Sequence, residues 1–234
     1  MNYHLELDID FKRNPFKGKY IVIEGIDGSG KTTQAKRLCE YFEKSNLEVV
    51  CTGEPRKRVG VVGELIYKIL RGKVKIPSVA FQYLFSADRA IHHEELIIPA
   101  LKDGKYVISD RSFWSAIPYG ILDKMGEENY DFQMGKVILS AQSILSMYHQ
   151  FIIPDITFYL DVPVEVAVKR MADENKQKEI YEKTEKLDKI IAGYKWLVKE
   201  FPKEFVIIDG KKSADEVTKE LIKRIDTLNN YPII

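Results

Sequence analysis

A chain of 234 residues with 45% hydrophobic content carries enough apolar side chain for one large or two small cores. Its formal net charge of +1, with 30% charged residues of both signs, leaves no global field to draw it to nucleic acid or an anionic membrane. No apolar run reaches membrane-spanning length, and Cys39 and Cys51 lack C-x-x-C spacing, so the expectation is a cytoplasmic chain whose thiols are reduced apolar fillers.

Residues 1–18 mix acids with Lys12 and Arg13 and lack the apolar stretch of a signal peptide. They read as an N-terminal extension ahead of a single domain at 19–234. Residues 20–24 have the pattern of a buried parallel strand. They lead into Gly25-Ile26-Asp27-Gly28-Ser29-Gly30-Lys31-Thr32-Thr33, a full match to G-x-x-x-x-G-K-[ST], with a helix predicted at 31–44. Glycines let backbone N–H groups turn toward phosphate oxygens, and the helix start adds partial positive charge. Lys31 is placed to reach the outer phosphates and the Thr32 hydroxyl to ligate Mg²⁺.

A second apolar run at 47–51 precedes a loop rich in positive charge, Glu54-Pro55-Arg56-Lys57-Arg58. Helices are predicted at 62–70 and 78–101, the latter kinked or ended by Pro99. A third strand, 106–109, runs straight into Asp110-Arg111. Residues 113–122 read as irregular or partly helical because of Pro118, and 132–149 as helical. A fourth strand at 156–160 is followed by a helix from Pro163 to about Met171, then a polar segment at 172–178. A helix at 181–200, a fifth strand at 205–208 and a helix at 214–226 close the pattern.

Strands alternating with helices predict an α/β fold, a five-stranded parallel sheet flanked by helices. Ligands of such sheets bind beyond the C-terminal strand ends. The phosphate loop, Glu54 to Arg58 and Asp110-Arg111 each follow a strand, so they are expected to meet in one crevice.

Asp110 at a strand end is suited to the Mg²⁺ shell, and the Arg111 fork to phosphate. Phe85 and Arg89 stand four residues apart on one helix face, a pairing that suits a planar heterocycle, though aromatics at this spacing are most often core. Arg56, Lys57 and Arg58 could meet an anion or form a solvated run. His92 and His93 read as exposed helix residues rather than metal ligands, and Trp114 and Trp196 as packing residues. The polar segment reads as a closing lid, with Lys176 and Lys178 near the phosphates, or as a plain loop.

Together these residues resemble the thymidylate kinases, within the P-loop nucleoside monophosphate kinases, from about residue 19 to 225. The blocks that carry the likeness are Ile23-Glu24-Gly25 through Gln34, Thr52-Gly53-Glu54-Pro55 with Gly63-Glu64-Leu65-Ile66, Leu84 through Ala90, Asp110-Arg111-Ser112-x-x-Ser115, and Pro154 through Pro163. The resemblance implies a three-layer P-loop fold with a short lid at about 172–181. It implies ATP-dependent phosphorylation of dTMP to dTDP, Mg²⁺ as the ion, and a homodimer.

The resemblance also assigns residues. ATP falls to Gly25, Gly28, Ser29, Gly30, Lys31, Thr32 and Thr33, and the metal to Thr32 and Asp110. The dTMP set is Asp27 on the sugar 3′-hydroxyl, Phe85 stacked on the base, Arg89 at its edge, and Arg111 on the phosphate. Glu54, Arg56, Ser115 and Tyr119 complete it.

The chain departs from the family at several positions. Gly53 stands where many bacterial members have arginine, so Arg56 or Arg58 is expected to bring that charge. Ser112, Pro118 and Gly120 also differ from the usual residues. The phosphate loop has Gly28 and Ser29 where some members carry a catalytic arginine, and the lid offers lysines. Arg170, the nearest arginine, therefore joins Lys31, Asp110 and Arg111 as a catalytic candidate.

Two alternatives share parts of this pattern. Deoxynucleoside kinases also show an acid-Arg-Ser motif and a Glu-Pro after the second strand, the glutamate serving as base. A non-catalytic nucleotide-binding switch would need only the phosphate loop.

Overall fold

Five short strands make one fully parallel sheet in the computed structural model, which describes residues 10–125, 144–173 and 184–230. They are β1 (Lys19–Glu24), β2 (Val49–Gly53), β3 (Tyr106–Asp110), β4 (Ile156–Asp161) and β5 (Phe205–Asp209), in the order β2-β3-β1-β4-β5. β1 is central, and Tyr20, Ile21, Val22 and Ile23 are all buried, which is why the strand reads as a continuous apolar run. On one face, α1 (Lys31–Lys44) and the last helix, Ala214–Asn230, pack on Ile21, Ile23, Ile108 and Phe158. The other face carries two further apolar clusters, built on Tyr20, Val22 and Val107 and on Tyr159 and Phe205. The result is the expected three-layer α/β architecture.

Register fixes where the loops emerge. Ile23 of β1 and Gly53 of β2 both pair with Asp110 of β3. The three strands thus end level, and Glu54, the phosphate loop and Arg111 leave the same edge. Two backbone bonds lock this, Glu54 N–H to the Asp110 carbonyl and Arg111 N–H to the Ile23 carbonyl, both 2.9 Å.

Four expectations change. β2 runs two residues later than predicted, because Leu47 belongs to the turn after α1 and is exposed. Pro118 does not interrupt: a 3₁₀ turn at Phe113–Ser115 feeds α5 (Ala116–Met125), and Pro118 sits in its first turn, where a missing N–H costs little. The helix from Ser78 does not stop at Pro99 either. α3 (Ser78–His92) passes through a π-helical turn, His93–Ile97, into α4 (Ile98–Lys102), with Pro99 at the second position of α4. Finally, Cys39 and Cys51 are not separate thiols. Cys39 lies on the sheet-facing side of α1, β2 returns beside it with the Cα atoms 6.2 Å apart, and the two are joined as a disulfide.

The remaining helices are α2 (Gly60–Leu70), α6 (Val164–Asp173), α7 (Thr184–Glu200) and α8 (Ala214–Asn230). Of the predicted helix at 132–149, residues 144–148 are helical and 132–143 lie outside the described residues. Lid residues 174–183 also lie outside them, including Lys176 and Lys178. Residues 10–18 of the extension pack onto the domain: Phe11 meets Trp114 and Phe201 edge-on, and Arg13 pairs with Glu204 at 2.6 Å. Among the described residues, no helix is long and apolar enough to cross a membrane.

Candidate active site

The phosphate loop is shaped by conformations that only glycine takes at low cost. Gly30, with φ of 99°, turns the chain into α1, whose first N–H groups carry no side-chain cap and stay available to an anion. Gly28, with φ of 79°, lies against the Ala167 carbonyl of α6, where a Cβ would overlap. The loop floors a cleft of about 810 Å³ that also takes in Arg71, Arg170 and Lys211. Lys31 is nearly buried and donates to the Ile26 carbonyl at 2.7 Å. Burial and the nearby Arg111 pull its ammonium down to about 8, against the opposing pull of Asp27 and Asp110.

Thr32 and Asp110 meet where a cation would sit. The Thr32 hydroxyl donates to Asp110 Oδ2 at 2.5 Å. The other carboxylate oxygen, Oδ1, is buried with no hydrogen-bond partner among the described residues. A hydroxyl beside an unsatisfied carboxylate oxygen, at the mouth of a phosphate loop, is a donor set that fits Mg²⁺.

A second cavity, of about 170 Å³, adjoins the cleft. Phe85, Arg89, Arg111, Ser115 and Tyr119 line it, so four loops and helices bring the expected base and phosphate residues to one place. Asp27, Lys31, Thr32 and Lys57 line both spaces and form the boundary between them.

Two buried polar networks hold the walls. In the first, Arg111 adopts a positive φ of 78° and donates from Nη2 to Asp27 Oδ1 at 2.5 Å and to the Tyr119 hydroxyl at 2.8 Å. From Nη1 it reaches the Gly25 carbonyl at 3.2 Å and Ser115 Oγ at 3.1 Å. Burial would raise the Asp27 carboxyl, but Arg111 and Lys31 outweigh it and hold the group at about 2. Behind Arg111 lies Glu24, fully buried, accepting from Ser112 N–H at 2.8 Å, Ser115 Oγ at 2.6 Å and the Tyr194 hydroxyl at 2.8 Å. Burial raises its carboxyl even against those donors and Arg111.

In the second network, Arg89 Nε donates to Glu54 Oε2 at 2.6 Å and Nη1 to the Tyr148 hydroxyl at 2.9 Å. Nη2 points to the Ser112 carbonyl at 3.4 Å. A guanidinium has five N–H donors, so two remain for an acceptor edge in the cavity. His92 Nδ1 lies 3.2 Å from Glu54 Oε1, and its Nε2 2.7 Å from Thr52 Oγ1. Burial would lift Glu54, yet Arg89 and His92 hold it at about 2.

His92 and His93 therefore depart from the exposed positions expected of them. Both are buried, because α3 passes directly beneath the strand ends. His93 stacks on Phe151 with centroids 4.7 Å apart. The three consecutive basic residues separate. The Arg56 N–H donates to Asp88 Oδ2 at 2.8 Å and its Nη1 to Glu95 at 3.1 Å, so its side chain faces α3 rather than either cavity. Arg58 lies over the Tyr67 ring, 4.0 Å from its centroid. Arg170 donates to the Ser29 carbonyl at 3.2 Å and the Gly210 carbonyl at 2.9 Å, on the loop side of the cleft. Glu24, Tyr148 and Tyr194 have no role in the sequence reading, which takes Lys57 only as part of the basic run and His92 as an exposed helix residue. Glu24 is hidden as the last residue of a strand, and Tyr194 sits at ordinary core spacing on α7.

The chain is similar to known proteins along most of its length. A family model described as thymidylate kinase matches residues 23–221. A probable thymidylate kinase of Thermococcus kodakarensis is 36% identical over 217 residues, 89% of this chain and 98% of that protein. A thymidylate kinase of Thermoanaerobacter sp. is 36% identical over 216 residues, 92% of this chain and 99% of the relative. A probable thymidylate kinase of Methanosarcina mazei is 34% identical over 211 residues, covering 89% and 96%. With a phosphate loop, an Asp-Arg strand end and an aromatic–arginine cavity all on one sheet edge, the chain belongs to the thymidylate kinase family.

Proposed function

We propose that this chain transfers the γ-phosphoryl group of ATP to dTMP, giving dTDP and ADP. The observation that carries the reading is the meeting of two spaces at Asp27, Lys31, Thr32 and Lys57. One is built for a phosphate chain. The other has an aromatic plate, Phe85, and an arginine fork, Arg89, and shares its wall with the first. In this reading ATP lies along Gly25 to Thr33, dTMP stacks on Phe85, and Tyr119 and Asp27 face its sugar.

The acceptor is a phosphate oxygen, ionised near neutral pH because the second pKa of such an ester is about 6. It forms the new bond to the γ-phosphorus while the β,γ-bridging oxygen leaves with ADP, and no proton has to move. What the residues supply is alignment and charge. Lys31 meets the outer ATP phosphates, and Arg111 turns from Asp27 to the acceptor phosphate. Thr32 and Asp110 would hold Mg²⁺, which would supply neutralisation of phosphate charge there.

Glu54 argues against the nucleoside-kinase alternative. A 5′-hydroxyl acceptor needs a base, whereas both Glu54 oxygens are engaged, by Arg89 and His92, and the carboxyl is held at about 2. Action in the cytoplasm follows from the family reading; the Cys39–Cys51 disulfide does not, since reduced thiols are the rule there. A homodimer also follows from the family reading, and exposed Val79 and Tyr83, one turn apart on α3, offer an apolar face for it. An ADP-release assay over dTMP, dUMP, dCMP, dGMP and thymidine tests the function. The reading requires dTMP to be the preferred acceptor, and faster turnover of thymidine would overturn it.

A further inference from the structure

Transfer between two nucleotides needs positive charge at the point where both phosphate chains are close. The phosphate loop supplies no arginine there, having Gly28 and Ser29. The described arginines of the site each belong to one side. Arg71 and Arg170 line the donor cleft, and Arg111 and Arg89 the acceptor cavity. Arg170 is also drawn onto the Ser29 and Gly210 carbonyls. Among the described residues, Lys31 and Lys57 are the cations that line both spaces.

We propose that Lys57 is a catalytic residue whose ammonium spans the donor and acceptor phosphates during transfer. The inference rests on the reading of the second cavity as the dTMP site.

The loop that carries Lys57 is pinned on both sides of it. Ahead of it, the Arg56 N–H is fixed to Asp88 Oδ2 at 2.8 Å and the Arg56 side chain is held at Glu95. Behind it, Arg58 takes a positive φ of 66° and lies on Tyr67 of α2. The turn itself is closed by Lys57 N–H to the Pro55 carbonyl at 2.8 Å and Val59 N–H to the Arg56 carbonyl at 3.1 Å. Gly63 of α2 lets this turn sit close, since a Cβ there would overlap the Arg56 carbonyl. With both neighbours turned away, the middle residue of the basic run is the one presented to the two nucleotides. The field of Lys57 already reaches Asp27 on the boundary, where it is one of the charges that lower the carboxyl.

An ammonium on a four-carbon stem has three rotatable donors and no fixed fork. It can hold oxygens of the γ-phosphoryl group and of the acceptor phosphate together while one P–O bond forms and the β,γ-bridging bond breaks. Lys57 stays protonated throughout and no proton is exchanged. Its charge is worth most when the transferring group lies between the two sites, so its removal should lower kcat rather than weaken either substrate alone.

Steady-state kinetics of Lys57→Ala and Lys57→Arg with ATP and dTMP test this, alongside calorimetric binding of an adenosine–thymidine dinucleotide joined by five phosphates. Lys57 is exposed, and circular dichroism of each variant checks that folding is unchanged. Lys57→Ala is expected to lower kcat by roughly a hundredfold, with each KM changed by less than about threefold, as for loss of one preorganised charge. Lys57→Arg should recover to within about tenfold, because the charge is kept. The bridging dinucleotide should lose more affinity in Lys57→Ala than ATP or dTMP does alone. A kcat within about twofold of wild type, or a loss confined to the KM for dTMP, would overturn the proposal. A wild-type chain that turns over no dTMP overturns the dTMP reading and this inference together; an active wild type with an equally active Lys57→Ala overturns Lys57 alone.

Discussion

The Tyr194 hydroxyl of α7 donates to Glu24 Oε2 across 2.8 Å, at the buried end of the central strand. It lies 2.9 Å from Ser115 Oγ as well. The helix that follows the lid segment is thereby tied to the residue that supports Arg111, since Ser115 Oγ also accepts from Arg111 Nη1 at 3.1 Å. Tyr194→Phe keeps the ring and its stacking on Tyr159 but removes a donor from a buried carboxylate. The expected cost is about 1–2 kcal/mol of unfolding free energy, because Glu24 Oε2 keeps only its Ser115 donor and water cannot reach it to replace the other. Urea unfolding of the variant beside wild type measures it, and an unchanged midpoint would show that the bond contributes nothing to the fold.

Glu54 makes stability depend on acid. Its folded-state carboxyl stands at about 2 against an ordinary value of 4.5, so it binds its proton less readily folded than unfolded. That stabilisation is complete above about pH 4.5 and is lost as pH falls toward 2. Asp27 titrates in the same window, so the informative quantity is the difference between wild type and Glu54→Gln. At pH 7 the variant is expected to be less stable by about 3–5 kcal/mol, since Arg89 keeps a buried charge without its carboxylate. The gap should narrow steadily below pH 4.5. Urea unfolding at intervals from pH 7 to pH 2.5 tests both statements, and a gap that widened in acid would show the sign to be wrong.

Much of this arrangement was legible in the residues themselves. The central strand announces itself because both of its faces are covered, and the phosphate loop because its glycines and Lys31 are needed at fixed spacing. Convergence of the three loops followed from the parallel topology alone. The second network did not follow. His92 looks like a polar helix residue until β2 and α3 are placed together and Thr52 and Glu54 come to its two ring nitrogens. The basic run misled in a similar way. Its composition says that a charge is present, but Asp88, Glu95 and Tyr67 decide that Arg56 turns to α3 and Arg58 to α2, while Lys57 lines both cavities. The cysteines were misread because their separation of 12 residues says nothing until α1 and β2 lie side by side.

Lys31 gives nucleotide binding a basic limit. Burial and Arg111 bring its ammonium down to about 8, so part of it is neutral in mildly alkaline solution. ATP phosphates favour the charged form, and binding must then take up a proton. Affinity for ATP is expected to be level below about pH 7.5 and to fall as pH rises through about 8. Calorimetry at pH 8.5 in buffers of different ionisation enthalpy should find uptake of roughly three-quarters of a proton per ATP, the neutral fraction of a group titrating at about 8. Lys31→Met should bind weakly and without that uptake. No proton uptake in wild type would mean that Lys31 is fully charged before ATP arrives.

Arg111 stands to lose the most by substitution. Its guanidinium joins Asp27, Tyr119, Ser115 and the Gly25 carbonyl, and a positive φ aims it into the acceptor cavity. A lysine ammonium cannot span those partners as the planar fork does. Arg111→Ala and Arg111→Lys are therefore both expected to lower dTMP turnover by roughly a hundredfold or more, the scale for losing a preorganised donor. Asp27 loses its main counter-charge in the same step, so the KM for dTMP should rise with the fall in kcat. ATP binding should stay within about threefold, because the donor cleft does not include Arg111. The ADP-release assay with dTMP varied at saturating ATP separates these effects. A near-normal rate for Arg111→Lys would show that a point charge suffices there, and a near-normal rate for Arg111→Ala would remove Arg111 from the acceptor site.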